Sequence, residues 1–382
     1  MPHLQLLPLG KPRESTPVAI INSRQSKRPC LADGWVAQTV NLARALAAED
    51  VSLITSVGLN TWELLVHLAS KNNLHQILVI PELDRASALS RAESLMSEFE
   101  LSPHQVAFGF LLQADPTDNY SKDEIMHLRD EVVLNEAAKV IPVSIRPNGK
   151  LAALLAQERF RSKTIRDHQI PYRAAADKPH YEFDQLEPIG EAKLAIEHHI
   201  VHWTRSSHVP YDGESKAAYY EDVISSRTYP RSALRTLERI MQQAKIAASD
   251  RFIRGGFKVV ALSGGELADC LALMRWRRRY SYYSFEPYGI AIEKQAAIHL
   301  GIRPVLYGNK NDYEQLAEVD RPYFQMAESE SVDWKPESEW RQLGDLNLDT
   351  LPNRSVKIVV YRSGEIESIQ KFSKWEVIAL FN

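Results

Sequence analysis

The sequence has little of several features that mark common protein classes. It contains two cysteines, Cys30 and Cys270, in 382 residues, which excludes a disulfide framework or a four-thiolate zinc site built by this chain. No stretch approaches the ~20 apolar residues of a membrane span, and the first residues lack the apolar segment of a signal peptide. We therefore expect a cytoplasmic protein with no membrane partner.

The chain also lacks a large excess of charge of either sign. Lys and Arg number 46 against 49 Asp and Glu, which gives a formal net charge of −3. The overall charge thus provides no electrostatic case for a dedicated nucleic-acid binder, although local basic patches stay open. With 44% hydrophobic and 25% charged residues, the composition is that of an ordinary globular protein, and the length predicts two domains.

Several sequence signatures are absent as well. No G-x-G-x-x-G, G-x-x-x-x-G-K-[ST] or G-x-S-x-G pattern occurs, which disfavours ordinary dinucleotide dehydrogenases, P-loop enzymes and serine hydrolases. His198 and His202 are four residues apart, but their apolar neighbours indicate a strand, in which such residues lie ~13 Å from each other. We predict no metal site.

What is present in the first half is a regular alternation of apolar runs with helical patterns. The runs are rich in Val, Ile and Leu, as strands buried on both faces of a parallel sheet are; they cover 17–23, 51–58, 75–82, 104–115 and 138–147. This order predicts an α/β fold, with a Rossmann-like, doubly wound parallel sheet in a domain of residues 1–157.

The alternation stops after this half. Residues 158–194 are polar and interrupted by prolines, and we predict a linker there. From 195 to 382, short strands and helices follow one another without a regular order, which predicts a mixed α+β domain.

In an open α/β sheet, ligands bind beyond the carboxyl ends of the strands, where helix N-termini face anions. The first strand is followed by Ser23 and Arg24, and the second by Ser56, Gly58 and Thr61. These hydroxyls, the glycine and the basic side chain suit a phosphate. Helix caps and a turn explain the same residues equally well.

Three segments of this half resemble the SLOG superfamily, the Rossmann-like group that includes DNA-processing protein A and the cytokinin-releasing phosphoribohydrolases. They are NSRQSK at the tip of the first strand, LITSVGLNTWELL, and RDEVVLNEAAKVIPVSIRPNGKL, within residues 15–157. The PGGxGTxxE signature of the phosphoribohydrolases is absent. The resemblance implies a nucleotide, or a signal derived from one, as the ligand of this half.

In the second half, Glu337 and Glu339 are two residues apart. In a strand, such residues point to the same face, so we expect two neighbouring carboxylates. A carboxylate beside a sugar is useful because its hydrogen bond to a ribose 2′-hydroxyl strengthens as an oxocarbenium-like centre develops. A solvated edge with both carboxylates in water is the alternative, and the spacing alone favours it.

The order of five short segments in residues 195–382 resembles the ADP-ribosyltransferase fold of DNA-targeting toxins and abortive-infection proteins. The order is His-Trp-Thr-Arg at 202–205, a helix with its exit at 232–252, an apolar strand ending in Ser263, Pro-Tyr-Gly-Ile-Ala at 287–291, and Glu-x-Glu-Trp-Arg at 337–341. The sequence departs from this pattern in the segment 206–229, which is long and charged.

The resemblance implies NAD as the substrate, no metal, and a role for each matching residue. His202 would bind the NAD ribose, with Thr204 beside it, and Tyr288 would pack against nicotinamide. Glu339, or Glu337 in the other register, would be the catalytic carboxylate. The remaining residues implied for NAD binding are Ser263 and, at the diphosphate, Arg205 and Arg341.

Residues 275–283, RWRRRYSYY, form a basic and aromatic cluster in this half. Arginines interleaved with rings hold phosphates and stack bases, so a nucleic-acid or nucleotide acceptor is a first hypothesis for this cluster. A solvated helix face that covers a core edge is equally consistent with it.

The leading hypothesis is thus an NAD-dependent ADP-ribosyltransferase or NAD glycohydrolase with a nucleotide-sensing first half, whose acceptor is a nucleic acid, a protein or water. A role in bacterial stress or phage defence is an analogy only. The alternative is a non-enzymatic nucleotide- or DNA-binding protein of the DNA-processing protein A type. The sequence leaves formation of a homo-oligomer open.

Overall fold

The computed structural model describes residues 3–11, 13–112, 119–174, 178–183, 190–251, 253–278, 281–329, 332–333 and 335–382. The chain forms two compact units. The first unit comprises Met1–Asp177 and His208–Pro230, and the second comprises Lys178–Ser207 and Arg231–Asn382. The sequence prediction assigns residues 208–230 to the second domain, whereas in the structure they belong to the first unit.

In chain order up to residue 230, the elements are β1 (His3–Gly10), β2 (Thr16–Asn22), α1 (Gly34–Leu46), β3 (Val51–Ser56), α2 (Asn60–Lys71), β4 (His75–Ile80), α3 (Arg85–Glu98), β5 (Val106–Leu112), α4 (Lys122–Glu136), β6 (Lys139–Ser144), α5 (Lys150–Leu155), α6 (Glu158–Arg161), α7 (Gly190–Ile196), β7 (His199–Trp203) and α8 (Lys216–Ser225). Of these, α7 and β7 belong to the second unit.

The first unit is built on a six-stranded sheet in the order β1-β5-β4-β3-β2-β6. The five strands β2 to β6 are parallel, and β1 pairs with β5 in the antiparallel direction. The prediction of an α/β fold with a parallel sheet is confirmed. The strand β1 is not among the predicted strands, because most of its side chains are exposed or half-buried and its sequence has no apolar run.

The helix α8 explains why residues 208–230 belong to this unit. Tyr219, Tyr220 and Val223 are buried in the same hydrophobic cluster as residues of α2 and α3. The Tyr220 hydroxyl donates to Glu63 on α2 at 3.2 Å, and the Lys216 ammonium lies 2.8 Å from the same carboxylate. The chain therefore leaves the second unit after β7 and returns to it after residue 230.

The elements after residue 230 belong to the second unit. In chain order they are α9 (Ala233–Gln243), β8 (Lys245–Ile246), β9 (Val259–Ser263), α10 (Leu267–Leu273), β10 (Trp276–Arg277), β11 (Tyr282–Tyr283), β12 (Gly289–Glu293), α11 (Lys294–His299), β13 (Arg303–Pro304), β14 (Leu306–Gly308), α12 (Lys310–Gln315), β15 (Phe324–Met326), β16 (Glu328–Ser329), β17 (Val332–Asp333), β18 (Glu339–Leu343), β19 (Leu346–Asn347), β20 (Val356–Arg362), α13 (Ile366–Gln370) and β21 (Glu376–Phe381).

The centre of the second unit is a seven-stranded sheet in the order β13-β18-β9-β7-β12-β20-β21. All of its pairs are antiparallel except β20 with β21. Its strands supply about half of the residues of one continuous core, in which Ile200, Ile290 and Ile358 are fully buried. Strands and helices do not alternate, as the sequence predicts for this half. The start of β18 lies beside the end of β9, whose last residue, Ser263, is opposite Val201 in the middle of β7, and this part of the sheet carries the candidate site.

Candidate functional site

A cavity of about 230 Å³ opens where β7, β9 and β18 meet. The register places Val201 opposite Ser263, and Ser263 opposite Glu339. Six of the residues predicted for NAD binding or catalysis, Arg341 among them, lie in its wall. The full lining is Val201, His202, Trp203, Arg205, Arg251, Ile253, Ala261, Leu262, Ser263, Arg277, Tyr282, Ser284, Phe285, Gln325, Glu337, Glu339 and Arg341. Residues that are 140 positions apart in the sequence thus share one cavity.

The orientation of the His202 imidazole follows from its one hydrogen bond. The Nδ1 atom lies 2.8 Å from the main-chain oxygen of Ala261, which can only accept, so Nδ1 carries a proton. Burial lowers the pKa of His202 to about 4, despite the favourable Ala261 oxygen, and the Arg205 charge lowers it further. The ring is therefore neutral at pH 7, and Nε2 is a hydrogen-bond acceptor in the cavity wall.

Glu339 is held by a fully buried arginine. The Arg341 guanidinium donates from Nε to Glu339 Oε1 at 2.7 Å and from Nη2 to Oε2 at 3.1 Å. Its Nη1 atom donates to the main-chain oxygens of Pro322 and Phe324, each at 2.8 Å. The Glu339 amide donates to the Tyr307 hydroxyl at 2.9 Å. The carboxylate therefore has a fixed direction and a compensating charge.

This arrangement corrects the prediction for Arg341. All of its donor groups point to protein oxygens, and its side chain is 1% exposed. It has no free edge for a diphosphate, because its contacts to Glu339, to two carbonyls and to Gln325 use the whole guanidinium.

Glu337 lies in the cavity wall, but its backbone conformation differs from the prediction. It lies in a 3₁₀ helix, Lys335–Glu337, and not in a strand, and Ser338 between the two glutamates has a φ of 43°. The expectation that both carboxylates share a strand face is therefore wrong, since β18 begins only at Glu339. Both side chains line the cavity nevertheless, because the left-handed turn at Ser338 redirects the backbone.

The environment of Glu337 makes its carboxyl group a weak acid. Burial raises the pKa of Glu337 to about 7, and the Glu339 charge adds to the effect, whereas Arg205, Arg277 and Arg275 oppose it. Its main-chain oxygen accepts a hydrogen bond from the Ser263 hydroxyl at 2.7 Å. Ser263, predicted to contact NAD, thus lies in the cavity wall and fixes the backbone of Glu337.

This raised pKa predicts a pH-dependent effect of Glu337→Gln on stability. Between the ordinary glutamate pKa of 4.5 and about 7, the unfolded chain has lost the proton that the folded chain keeps, so the group destabilises the fold increasingly as pH rises. We expect Glu337→Gln to change stability little near pH 4 and to raise it near pH 8, by up to about 3 kcal/mol. Urea unfolding at both pH values measures this.

The matched control is Glu367→Gln, since that side chain is 89% exposed and its substitution should have a small, pH-independent effect. A stabilisation by Glu337→Gln that is the same at both pH values would contradict the account of this carboxyl group.

Two residues predicted for the NAD site lie outside the cavity wall. Thr204 is 1% exposed, and its hydroxyl donates to the main-chain oxygens of Ala233 and Tyr288, each at 3.1 Å. Tyr288 is 6% exposed, and its hydroxyl donates to Glu365 at 2.8 Å. Both are core residues whose hydroxyl groups bind protein oxygens, and neither is part of the cavity wall.

The cavity wall also contains three further arginines: Arg205 and Arg277, which belong to segments predicted for binding, and Arg251, which was not predicted. Arg277 on β10 lies opposite Tyr282 on β11, and its Nε donates to the Ser284 hydroxyl at 2.7 Å. Arg205 and Arg251 both lie over the Tyr282 ring, at 5.6 Å and 5.9 Å from its centroid. The predicted cluster 275–283 is therefore a hairpin beside the cavity and not a helix face; its Arg279 and Tyr280 lie outside the described residues.

Among the described residues, Arg205 makes no ion pair, and Arg277 donates to a side chain only through Nε. Two guanidinium groups that face one cavity repel each other unless an anion lies between them. In the sequence, Arg205 and Arg277 are visible as basic residues near aromatic ones. That both lie at one cavity depends on the pairing of β7 with β9 and on the β10–β11 hairpin.

The candidate residues of the first unit lie at the carboxyl edge of its sheet, mostly with protein partners. Ser23 is buried and accepts from the Arg146 amide at 2.9 Å, and Ser56 is buried and donates to the Val79 oxygen at 2.6 Å. Thr61 is also buried, and its hydroxyl has no hydrogen-bond partner among the residues that the structure describes. Gly58 has a φ of 93°, and its amide donates to the Glu63 carboxylate at 3.3 Å.

Of the five candidate residues of the first unit, Arg24 and Gly58 are exposed, so Arg24 provides the one exposed side chain. The end of β2, where it lies, is adjacent to β6, and the strand order changes direction between these two strands. The structure therefore brings Ser23 and Arg24 to the reversal point of the sheet, while Ser56 and Thr61 are part of the protein interior.

Comparisons with known proteins give two similar solved structures. One is DNA processing protein A from Helicobacter pylori, reported for its single-stranded DNA binding, with 20% identity, a TM-score of 0.29, and coverage of 41% of this chain and 67% of that chain. The other is DNA processing protein A from Streptococcus pneumoniae, with 13% identity, a TM-score of 0.28, and coverage of 38% and 48%. The second match spans about half of its relative's length.

Neither the protein-family models nor the curated proteins include a match to this chain. Each of the two likenesses covers less than half of this chain.

Within the described residues, no three His, Cys, Asp or Glu side chains are grouped so that they could hold a metal ion. None of the described helices combines the length and the apolar character needed to cross a membrane. Cys30 and Cys270 are free thiols.

Proposed function

We propose that the second unit cleaves NAD at the bond between nicotinamide and ribose and transfers the ADP-ribosyl group to a macromolecule or to water. The observation that carries this proposal is the pairing of an oriented carboxylate, Glu339, with a neutral imidazole acceptor, His202, in one cavity. Both groups accept hydrogen bonds from sugar hydroxyls, and the cations beside them match a diphosphate.

In this proposal, the carbon–nitrogen bond breaks and its electron pair leaves with nicotinamide. Positive charge develops at the ribose carbon and its ring oxygen, and the ionised Glu339 stabilises it from a fixed position, where no reorganisation is needed. His202 Nε2 accepts from a ribose hydroxyl and keeps the sugar in place. Arg341 prevents Glu339 from turning away.

The acceptor completes the reaction by forming a bond from its oxygen or nitrogen to the ribose carbon. The proton of the acceptor goes to the Glu337 carboxylate. A group whose pKa is about 7 is well matched to this task, because it is ionised in a large fraction of molecules at neutral pH and still binds a proton effectively. The product then leaves with Glu337 protonated, and water takes the proton back.

Arg205 and Arg277 are the residues that we assign to the diphosphate, in place of Arg341. Each presents guanidinium donors that the described protein groups do not occupy, and a planar guanidinium pairs with two phosphate oxygens at once. The hydrogen bond from Arg277 to Ser284 fixes the plane of its side chain before the ligand arrives.

Arg277→Gln is expected to weaken the binding of ADP-ribose by about 10- to 100-fold, since a charge-assisted hydrogen bond contributes roughly 1.5–3 kcal/mol. Isothermal titration calorimetry with ADP-ribose measures the change. The neighbouring Arg278 is exposed and does not line the cavity, so Arg278→Gln is the matched control. Equal losses in both variants would show a general effect of charge and contradict the assignment.

Incubation of the full chain with NAD, followed by quantification of free nicotinamide, tests the proposal. Steady release in the presence of nucleic acid, protein or water as acceptor supports it. NAD that stays intact with every class of acceptor contradicts it and favours a binding protein without catalytic activity.

For the first unit, we propose a nucleotide or nucleic-acid ligand at the reversal point between β2 and β6, where ligands of such sheets bind. The exposed Arg24 at this point supports an anionic ligand. Affinity of the full chain that falls as salt rises, and falls again in Arg24→Gln, would support the proposal. Affinity that neither change alters would contradict it.

A further inference from the structure

Gln325, on β15, lies in the cavity wall and is also a partner of Arg341. The Arg341 Nη2 atom donates to Gln325 Oε1 at 2.5 Å and to Glu339 Oε2 at 3.1 Å. Because a guanidinium only donates, the oxygen of the Gln325 amide must face Arg341. The amide nitrogen therefore points away from Arg341, and it makes no hydrogen bond with any described residue.

This geometry places a hydrogen-bond donor beside a hydrogen-bond acceptor. Both side chains are bound to the same guanidinium nitrogen, so the Gln325 amide and the Glu339 carboxylate are neighbours in the cavity wall. A hydroxyl group donates one hydrogen bond and accepts others, and it alone among the common groups of a sugar satisfies both neighbours at once.

We propose that Gln325 contacts the substrate, donating from Nε2 to the ribose 2′-hydroxyl whose proton is directed to Glu339, with Arg341 as the residue that positions both. The inference rests on the proposed function, which supplies the ribose. The hydrogen bond from Gln325 orients the hydroxyl, so that its proton points to the carboxylate, where the bond strengthens as positive charge develops on the sugar.

The test compares Gln325→Met with the wild-type chain on NAD and on an NAD analogue that lacks the 2′-hydroxyl of the nicotinamide ribose. We expect Gln325→Met to lower kcat/KM for NAD by about 10-fold and to change kcat/KM for the analogue by less than about 2-fold. A loss of the same size on both substrates means that Gln325 only supports Arg341, and it overturns the proposal.

The variant Gln325→Glu also distinguishes a contact of this side chain with the substrate from a role in supporting Arg341. It keeps an oxygen for Arg341 but replaces the donor with a negative oxygen. Loss of activity on NAD with retention of activity on the analogue supports the contact, whereas wild-type activity on NAD overturns it. Thermal unfolding of both variants shows whether the second unit remains folded.

If the wild-type chain releases no nicotinamide, the proposed function fails. A binding measurement then tests the contact between Gln325 and the ribose 2′-hydroxyl. In a titration with NAD followed by NMR, a shift of the Gln325 side-chain amide signals that is absent with the analogue supports the contact. Signals that NAD leaves unchanged overturn it.

Discussion

We expect Glu339→Gln to lower the rate of nicotinamide release from NAD by about 10²–10³-fold, the size of effect that removal of one oriented electrostatic contact to a transition state produces. Glutamine has nearly the same shape as glutamate, so it fits beside Arg341, but it has no charge to stabilise the developing cation. Release is measured by chromatography of the reaction mixture. The KM for NAD should change less than kcat, since the charge acts mainly in the transition state.

The control for this variant is Glu367→Gln, which removes an exposed carboxylate in the same unit and should keep wild-type rates. Retention of more than about one tenth of the wild-type rate by Glu339→Gln is inconsistent with a role of Glu339 in the chemical step.

Arg341→Met is the substitution with the largest expected effect on stability. The Arg341 side chain is 1% exposed and the Glu339 side chain 11% exposed, so methionine leaves a largely buried carboxylate without its partner and two carbonyls without their donor. Breaking such a pair from one side costs about 3–5 kcal/mol. We expect a loss of this size in the free energy of unfolding of the second unit.

Hydrogen exchange of peptides from β9 and β18 during a urea titration reports the second unit separately, which matters because two units need not unfold together. Arg354→Met, at an exposed position of the same unit, is the control. Arg341→Lys keeps the charge and should lose less stability than Arg341→Met. A cost below about 1 kcal/mol for Arg341→Met, the scale of an exposed ion pair, would contradict the buried network.

The sequence predicts the strands of both units well because their signal is local. The five predicted runs of the first half coincide with β2, β3, β4, β5 and β6 apart from their ends, and the strand predicted to end at Ser263 in the second half is β9. Runs of Val, Ile and Leu are determined by burial on both faces of a sheet, which needs no knowledge of the neighbouring strand. The half-exposed edge strand β1 gives no such signal.

The site was predictable only in part, because its geometry depends on contacts that are distant in sequence. His202, Glu337 and Glu339 are found in one cavity, as the order of motifs in the chain implies. The contacts of Arg341 with Pro322, Phe324 and Gln325 and the positive φ of Ser338 have no signal in the sequence.

The role of a side chain also depends on which face of its strand is covered. Thr204 lies between the cavity-wall residues Trp203 and Arg205 in sequence, and Tyr288 follows shortly after the cavity-wall residue Phe285. The hydroxyl of each nevertheless donates to a protein oxygen in the core. Gln325 belongs to no motif and reaches the cavity through β15, so only the structure identifies it. Arg277 belongs to the predicted basic and aromatic cluster, but its place in the cavity wall depends on the β10–β11 hairpin.

The identity of the bond that breaks tests the central claim most directly. After incubation of the wild-type chain and of Glu339→Gln with NAD, mass spectrometry of all products distinguishes cleavage at the ribose from cleavage at the diphosphate. The account predicts nicotinamide in the same amount as the ADP-ribosyl group on acceptor and water, and almost none of either with Glu339→Gln. Intact NAD, or AMP together with nicotinamide mononucleotide, would contradict it.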